Sequence, residues 1–456
     1  MYASPPVSGA GAEAVAESTK VPPYWANEGK ALVLAKGTAP VPVGLYAMVR
    51  MRHCLPGETG EPPEIDAIAV QPFVQALALG VTWIDLQPEP GEVSFVAVER
   101  ALEAVAAASR QAGRDRPMPV LLKIYPSFLP GWMASDETDD EGAQPRIVTN
   151  KIGMRVLHLP PEIDATGHEH PAREFPLSTD PVYRENLDRL RRVLAEGLDR
   201  VDPHAVLVSA IHVIGPAMDS NQMRTPANDL FPNRGPDPWG AGWSKQAHLE
   251  AWREVCARMA DYPAFARRAW VFNFTNLPPR GDEGLSLTVA EQESVFETVR
   301  AVHPAGPAAV IGKTESLCVD FNRRTNRPEL EPHSGSAWRT QMATRADHIP
   351  YGFLARLPLA HAWENWAGFS PGRDARAPSL YPFDELVENS LYLDPDHPQT
   401  SRPQGTLWVE IWPQEAARPE RVPRFDDSPQ SLRESLIAWD EAIRVELRVL
   451  VPPAQK

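Results

Sequence analysis

Cysteine is scarce in this sequence: Cys54, Cys256 and Cys318 are the three among 456 residues. They lie far apart and match no zinc-ligand or CxxC spacing, so they read as free thiols packed in the interior. Long hydrophobic runs are missing. None approaches the roughly 20 residues that a membrane-spanning helix needs, so no membrane is expected as a partner. The first 20 residues have neither the basic start nor the continuous apolar core of an intact signal peptide. Whether the site of action is cytoplasmic or secreted after signal removal stays open. Positive charge is the minority, 45 Lys+Arg against 60 Asp+Glu, giving a net charge of −15. No Lys/Arg block offsets that balance, which argues against nucleic acid as a partner. A P-loop, a dinucleotide fingerprint and a GxSxG elbow are absent as well. Phosphoryl transfer, Rossmann-type hydride transfer and elbow-type serine hydrolysis lose their support, and no cofactor is expected.

What is present is proline, tryptophan and a strand–helix rhythm. The 49 prolines suit long ordered loops, and the 13 tryptophans suit either a sugar-binding cleft or a large core. Apolar runs bounded by turn residues read as strands at 43–51, 81–86, 118–125, 205–214, 269–274, 308–313 and 406–412. One further strand falls within 351–361 with its register open. Helical spacing fills 64–79, 95–112, 181–201, 244–261, 289–302 and 428–447, with Gly80 and Gly113 as stops. Alternation of this kind implies parallel pairing with right-handed crossovers, and eight such units make a (β/α)₈ barrel, an α/β fold. The expected organisation is a flexible N-terminal arm over 1–30 and a single barrel over 31–456. Two long loops, 126–178 and 215–242, interrupt it on the C-terminal face, where barrels keep their chemistry.

The strand around Ile211 ends at Gly215-Pro216 and leads to Met218-Asp219-Ser220-Asn221-Gln222-Met223. Together with Trp83-x-x-Leu86-x-Pro88-x-Pro90-Gly91-x-x-x-Phe95, Leu129-Pro130-Gly131-Trp132, Asp180-Pro181-x-Tyr183 and Trp408-Val409-Glu410-Ile411-Trp412, this stretch resembles the clan GH-A glycoside hydrolases, β-galactosidase-like members in particular. The resemblance covers roughly residues 40–450, through short motifs. It implies cleavage of a β-glycosidic or stereochemically equivalent α-L-arabinosidic bond in an oligo- or polysaccharide, with retention. That mechanism uses two carboxyl groups about 5–5.5 Å apart, one as acid/base and one as nucleophile. By the resemblance, Asn221 matches an Asn, and Gln222 stands where the acid/base Glu belongs. An amide cannot donate and regain a proton at neutral pH. A Glu→Gln replacement that stops the reaction, a neighbouring carboxylate such as Asp219 in the role, and a relative that only binds sugar all fit this position.

Glu364 is the nucleophile candidate, because Trp363-Glu364-Asn365-Trp366 follows the seventh strand and flanking rings lower the local dielectric. Trp363 and Trp366 would then wall the sugar. Glu410, the rival for the nucleophile role, lies inside an apolar strand, where a carboxylate must be paired or functional, and reads as a substrate contact or as the partner of an arginine. Trp412 should share its face. Glu89, Arg52 (with Arg50), Tyr125, Trp132, Asn273 and Asn276 sit at strand ends and complete the substrate-binding candidates, each with a packing role as the alternative. His168-Glu169-His170 has a metal-like spacing without further ligands nearby, so no metal is expected. Two other functions stay open. A Schiff-base lyase or aldolase would use Lys313, with Lys123 as a second interior lysine; a non-catalytic carbohydrate-binding barrel would need no proton donor. Oligomeric state is not legible.

Overall fold

The structure is a computed structural model that describes residues 23–55, 63–136, 146–163, 169–170, 172–218, 221–223, 243–274, 287–317, 320–322, 327–329, 351–355, 387, 390–392, 405–421 and 430–451. Its centre is a closed ring of strands β1 (Gly44–Arg50), β2 (Val74–Thr82), β3 (Val120–Tyr125), β4 (Val208–His212), β5 (Ala269–Phe274), β6 (Val310–Leu317), β7 (Tyr351–Ala355) and β8 (Thr406–Ile411). All eight neighbouring pairs are parallel, and the ring closes where Trp408 to Ile411 of β8 pair with Gly44 to Ala47 of β1. The fold is the expected (β/α)₈ barrel.

Helices α1 (Glu64–Ala69), α2 (Val96–Gln111), α3 (Pro181–Val201), α4 (Lys245–Ala257), α5 (Val289–Val302) and α6 (Leu432–Leu450) connect the strands or close the ring. Their starts are chemically marked. Asp180 accepts from the amides of Val182 and Tyr183 with Pro181 in the first turn, and Thr288 with Glu291 and Ser431 with Glu434 form capping boxes. Val98, Ala101, Leu102, Val105 and Ala108 form the buried stripe of α2, each large side chain contributing about 1.5–3 kcal/mol.

Several boundaries differ from the sequence reading. The expected helix 64–79 is α1 followed by most of β2. Pro72 breaks helical bonding, and the run after it, apolar but for Gln75, fits a helical period as well as a strand, so its strand character was hidden. Gly80 is therefore inside β2 rather than at a helix end, where a Cβ would come 3.1 Å from the Tyr125 ring. Trp83–Leu86 is a helical turn capped by Thr82 and Asp85, not strand. β4 starts at Val208 because Ala205 has φ +54°, outside the extended region. Residues 307–309 form a 3₁₀ turn, and β6 extends beyond Lys313. β7 takes the front of its expected window, and its register is set by Gly352 opposite Trp408. A Cβ at Gly352 would lie 2.2 Å from that indole, so glycine is required by close approach.

The stretch 126–178 carries an antiparallel three-stranded sheet of residues 173–176, 155–159 and 146–149, plus a small hairpin pairing 162–163 with 169–170. Its Leu157, Leu159 and Leu177 pack with Met218 and Trp243 in a second apolar cluster. The insertion after β3 is thereby tied to the loop after β4. Ahead of β1, Tyr24–Ala26, Ala31–Val33 and Val41–Pro42 form an antiparallel sheet, so ordered pairing begins within the segment assigned to an arm.

Candidate functional site

Glu410, near the C-terminal end of β8, points into the barrel and is fully buried. Its carboxylate meets Lys123 Nζ from β3 at 2.8 Å and Lys313 Nζ from β6 at 3.3 Å, and both lysines are buried too. Trp408 Nε1 lies 3.4 Å from the same carboxylate. Where the sequence reading weighed a structural partner for Glu410, it named an arginine. The partners are instead two lysines whose long stems cross the lumen, one three strands from β8 and the other two strands away on the opposite side. A buried carboxylate without such partners would cost several kcal/mol, so the cluster is mutually dependent. Toward the N-terminal end, Tyr46 stacks on Trp408 with ring centroids 5.3 Å apart and donates to the carbonyl of Pro42 at 2.7 Å. Burial, and then the charge of Glu410, push the Tyr46 phenol well above its ordinary pKa.

The second constellation joins β4, its following loop and β5. Asn273 Nδ2 donates to Asn221 Oδ1 at 2.9 Å, and Asn221 Nδ2 donates to His212 Nδ1 at 2.9 Å. Since Nδ1 accepts, the imidazole proton sits on Nε2. Burial holds His212 neutral, and the positive charges of Lys313 and then Lys123 add to that. Nε2 is buried and meets no hydrogen-bond partner among the described residues.

Gln222 is buried beside Asn221. The loop that carries it is fixed from behind. Tyr183 donates to Ala217 O at 2.6 Å, and Arg191 donates to Ile214 O at 3.1 Å and Val255 O at 2.6 Å. His248 on α4 donates from Nε2 to Met223 O at 2.8 Å and accepts from Ser178 through Nδ1 at 2.6 Å. Burial lowers the His248 pKa to about 4, so this neutral bridge persists at physiological pH.

The remaining candidates spread around the rim. Tyr125 ends β3, with the Arg50 guanidinium 5.9 Å and Lys123 Nζ 5.8 Å from its ring centre. Arg52 is exposed on the turn after β1, its Nε 3.3 Å from His53. Trp132 is half-buried and donates to the carbonyl of Gln87 at 3.1 Å, which links the loops after β2 and β3. Glu89 is exposed in the loop after β2. Trp412 lies one residue past β8 and caps the short helix Pro413–Ala417, its amide held by Glu415 at 2.8 Å. Glu364, Trp363, Trp366, Asp219, Asn276, His168 and Cys318 lie outside the described residues. Cys54 and Cys256 are buried thiols that burial pushes up to about 12. Among the described residues no cluster of three metal-ligating side chains occurs.

Residue-by-residue reading missed His212. Its one signal is a titratable side chain closing an otherwise apolar strand, and the reading passed over it for the loop beyond. Lys123 and Lys313 were noted as interior lysines, but their convergence on Glu410 depends on the barrel's curvature and has no sequence signature.

Eight parallel strands with buried polar side chains at their C-terminal ends define a (β/α)₈-barrel protein. No family model matches this sequence, and no curated protein matches it. Solved structures of similar outline include a glycoside hydrolase family 5 enzyme from Prevotella bryantii B14, at 13% identity and TM-score 0.43, with 88% of this chain and 96% of that one covered. A β-galactosidase from Rahnella sp. R3 aligns at 11% identity and TM-score 0.48, covering 92% of this chain and 58% of its own. A D-psicose 3-epimerase from Clostridium cellulolyticum H10 aligns at 12% identity and TM-score 0.37 over 89% and 99%. Likeness at this level assigns no chemistry; the barrel stands on its own strand pairing.

Proposed function

We propose that this chain is a glycoside hydrolase scaffold acting on an oligo- or polysaccharide by the retaining double-displacement route. Position 222 is the acid/base seat and Glu364 the nucleophile. The observation that carries the reading is Asn221, clamped between His212 of β4 and Asn273 of β5, which sets the adjacent position 222 at the C-terminal end of the barrel. A proton donor there must be held rigidly, and the carbonyl bonds from Tyr183, Arg191 and His248 supply that rigidity. Gln222 keeps the shape of a glutamate and lacks its proton, so protonation of a poor leaving group is the step this chain lacks.

The test is Gln222→Glu against aryl glycosides and oligosaccharides, with Glu364→Ala in the same background. Turnover gained by the first change and lost by the second supports the reading. If neither form cleaves any glycoside yet calorimetry detects oligosaccharide binding, the chain is a sugar-binding barrel.

The buried lysines favour a second reading, imine chemistry at Lys313. A lysine paired with Glu410 is protonated, whereas imine formation needs the free amine, so the ion pair weighs against it. Borohydride trapping of a carbonyl compound on Lys313 would reverse that judgement.

A further inference from the structure

His248 sits where three segments distant in the chain meet. It stands on α4, fully buried, with its ring centre 5.9 Å from that of Trp243 and 6.3 Å from that of Trp252. Both ring nitrogens are engaged, and burial keeps the ring neutral. Nε2 donates to the carbonyl of Met223 at 2.8 Å, and Nδ1 accepts from the Ser178 hydroxyl at 2.6 Å. A carbonyl can only accept, so the direction of both bonds is fixed. Ser178 closes the insertion after β3, one residue past Leu177, whose amide donates to Arg155 O at 3.3 Å. Met223 lies one residue past position 222. The same insertion meets the loop on the near side of that position, where Leu157, Leu159 and Leu177 pack with Met218. Trp252 also covers Gly215, where a Cβ would come 2.1 Å from the indole, so α4 grips the loop at its start as well. Residue 222 is thus held from both sides, by a non-directional apolar contact and by a directional bridge.

We propose that His248 is the positioning residue for position 222, and that the bridge Ser178–His248–Met223 makes the insertion after β3 part of the acid/base seat. His248 acts through Met223 rather than on substrate. It fixes the backbone just beyond 222, and with it the direction in which a carboxyl at 222 points. The inference rests on the glycosidase reading for the chemistry it positions; the bridge itself rests on the two bonds. Leaving-group protonation is the step it governs, because a displacement of about 1 Å can cost roughly 100-fold in rate. Cleavage of a glycoside whose leaving group needs no proton bypasses the acid and with it the bridge.

Kinetics in the Gln222→Glu background test this with two aryl glycosides of one sugar, one with a poor leaving group and one with dinitrophenolate. His248→Phe keeps a planar ring and removes both bonds. The expected result is a loss in kcat/KM of at least about tenfold on the poor leaving group and below about threefold on the activated one. His248→Gln keeps a donor for Met223 O and should recover most of that loss. Losses of equal size on both substrates mark a role in folding alone and overturn the proposal, as does no loss on either. A second arm needs no turnover. Amide hydrogen exchange in Ser178→Ala, made in the otherwise unaltered chain, should quicken across 215–223, since that hydroxyl reaches Met223 through His248. Unchanged exchange there overturns the bridge. If Gln222→Glu cleaves neither glycoside while exchange responds to Ser178→Ala, the hydrolase reading falls and the bridge stands as the anchor of this loop. Cleavage by Gln222→Glu that His248→Phe leaves untouched does the reverse.

Discussion

Asn221 donates to Nδ1 of His212 across 2.9 Å, and that bond fixes which nitrogen of a buried imidazole carries the proton. The same amide accepts from Asn273, so one side chain couples β4, β5 and the loop bearing position 222. Asn221→Ala leaves His212 Nδ1 short of a partner in the interior and removes the bond Asn221 accepts from Asn273. The expected loss is about 1–3 kcal/mol for the unsatisfied group, read from urea unfolding. A loss below about 0.5 kcal/mol would mean the bridge is not structural.

Glu410 supports two lysines, whereas each lysine supports one contact with it. Glu410→Gln should therefore cost roughly 3–5 kcal/mol, as breaking a buried pair does, and Lys313→Met clearly less because Lys123 still neutralises the carboxylate. Denaturant midpoints of the two variants check the order, and the reverse order would refute the cluster's account.

Acid should destabilise the fold through buried neutral histidines. Burial lowers His248 and His303 from 6.5 to about 4. Each contributes stability that is complete above pH 6.5 and is lost as pH falls toward 4, roughly 3 kcal/mol per imidazole. Asp440 acts oppositely: burial raises it from 3.8 to about 6, so its contribution grows as pH falls between those values. One carboxyl offsets about one imidazole, leaving a net loss from pH 7 to pH 4. Urea titrations across that range should show it, with a shallower fall in His248→Gln.

Gly352 allows the Trp408 indole to cross over β7. Gly352→Ala forces a rigid ring pair, Trp408 on Tyr46, to move and should cost about 1–3 kcal/mol as an overpacking change. Thermal unfolding measures it. A neutral outcome would show slack that the 2.2 Å approach denies.

Much of the barrel was legible because its parallel strands are apolar on both faces and its helices carry amphipathic stripes with marked caps; α3, α5 and β5 keep the bounds read from sequence. β2 was misread because a run that is apolar but for Gln75 fits a period of 3.6 as well as of 2. At the site, the family resemblance pointed to Asn221 and Gln222, the strand-end rule to Asn273, and a carboxylate inside an apolar strand to Glu410. The lysine partners of Glu410 were not assigned to it, because these contacts across the barrel lumen join residues about 100 to 290 positions apart in the chain.

The claim that position 222 is the acid/base seat is tested most directly by comparing Gln222→Glu with the unaltered protein on two aryl glycosides of one sugar. One carries a dinitrophenolate leaving group that departs without protonation, the other a poor leaving group that needs it. General acid catalysis contributes roughly 10²–10⁴-fold. The account predicts a gain of that order in kcat/KM on the poor leaving group and a much smaller gain in kcat/KM on the activated glycoside. Equal gains on both, or none on either, would contradict it.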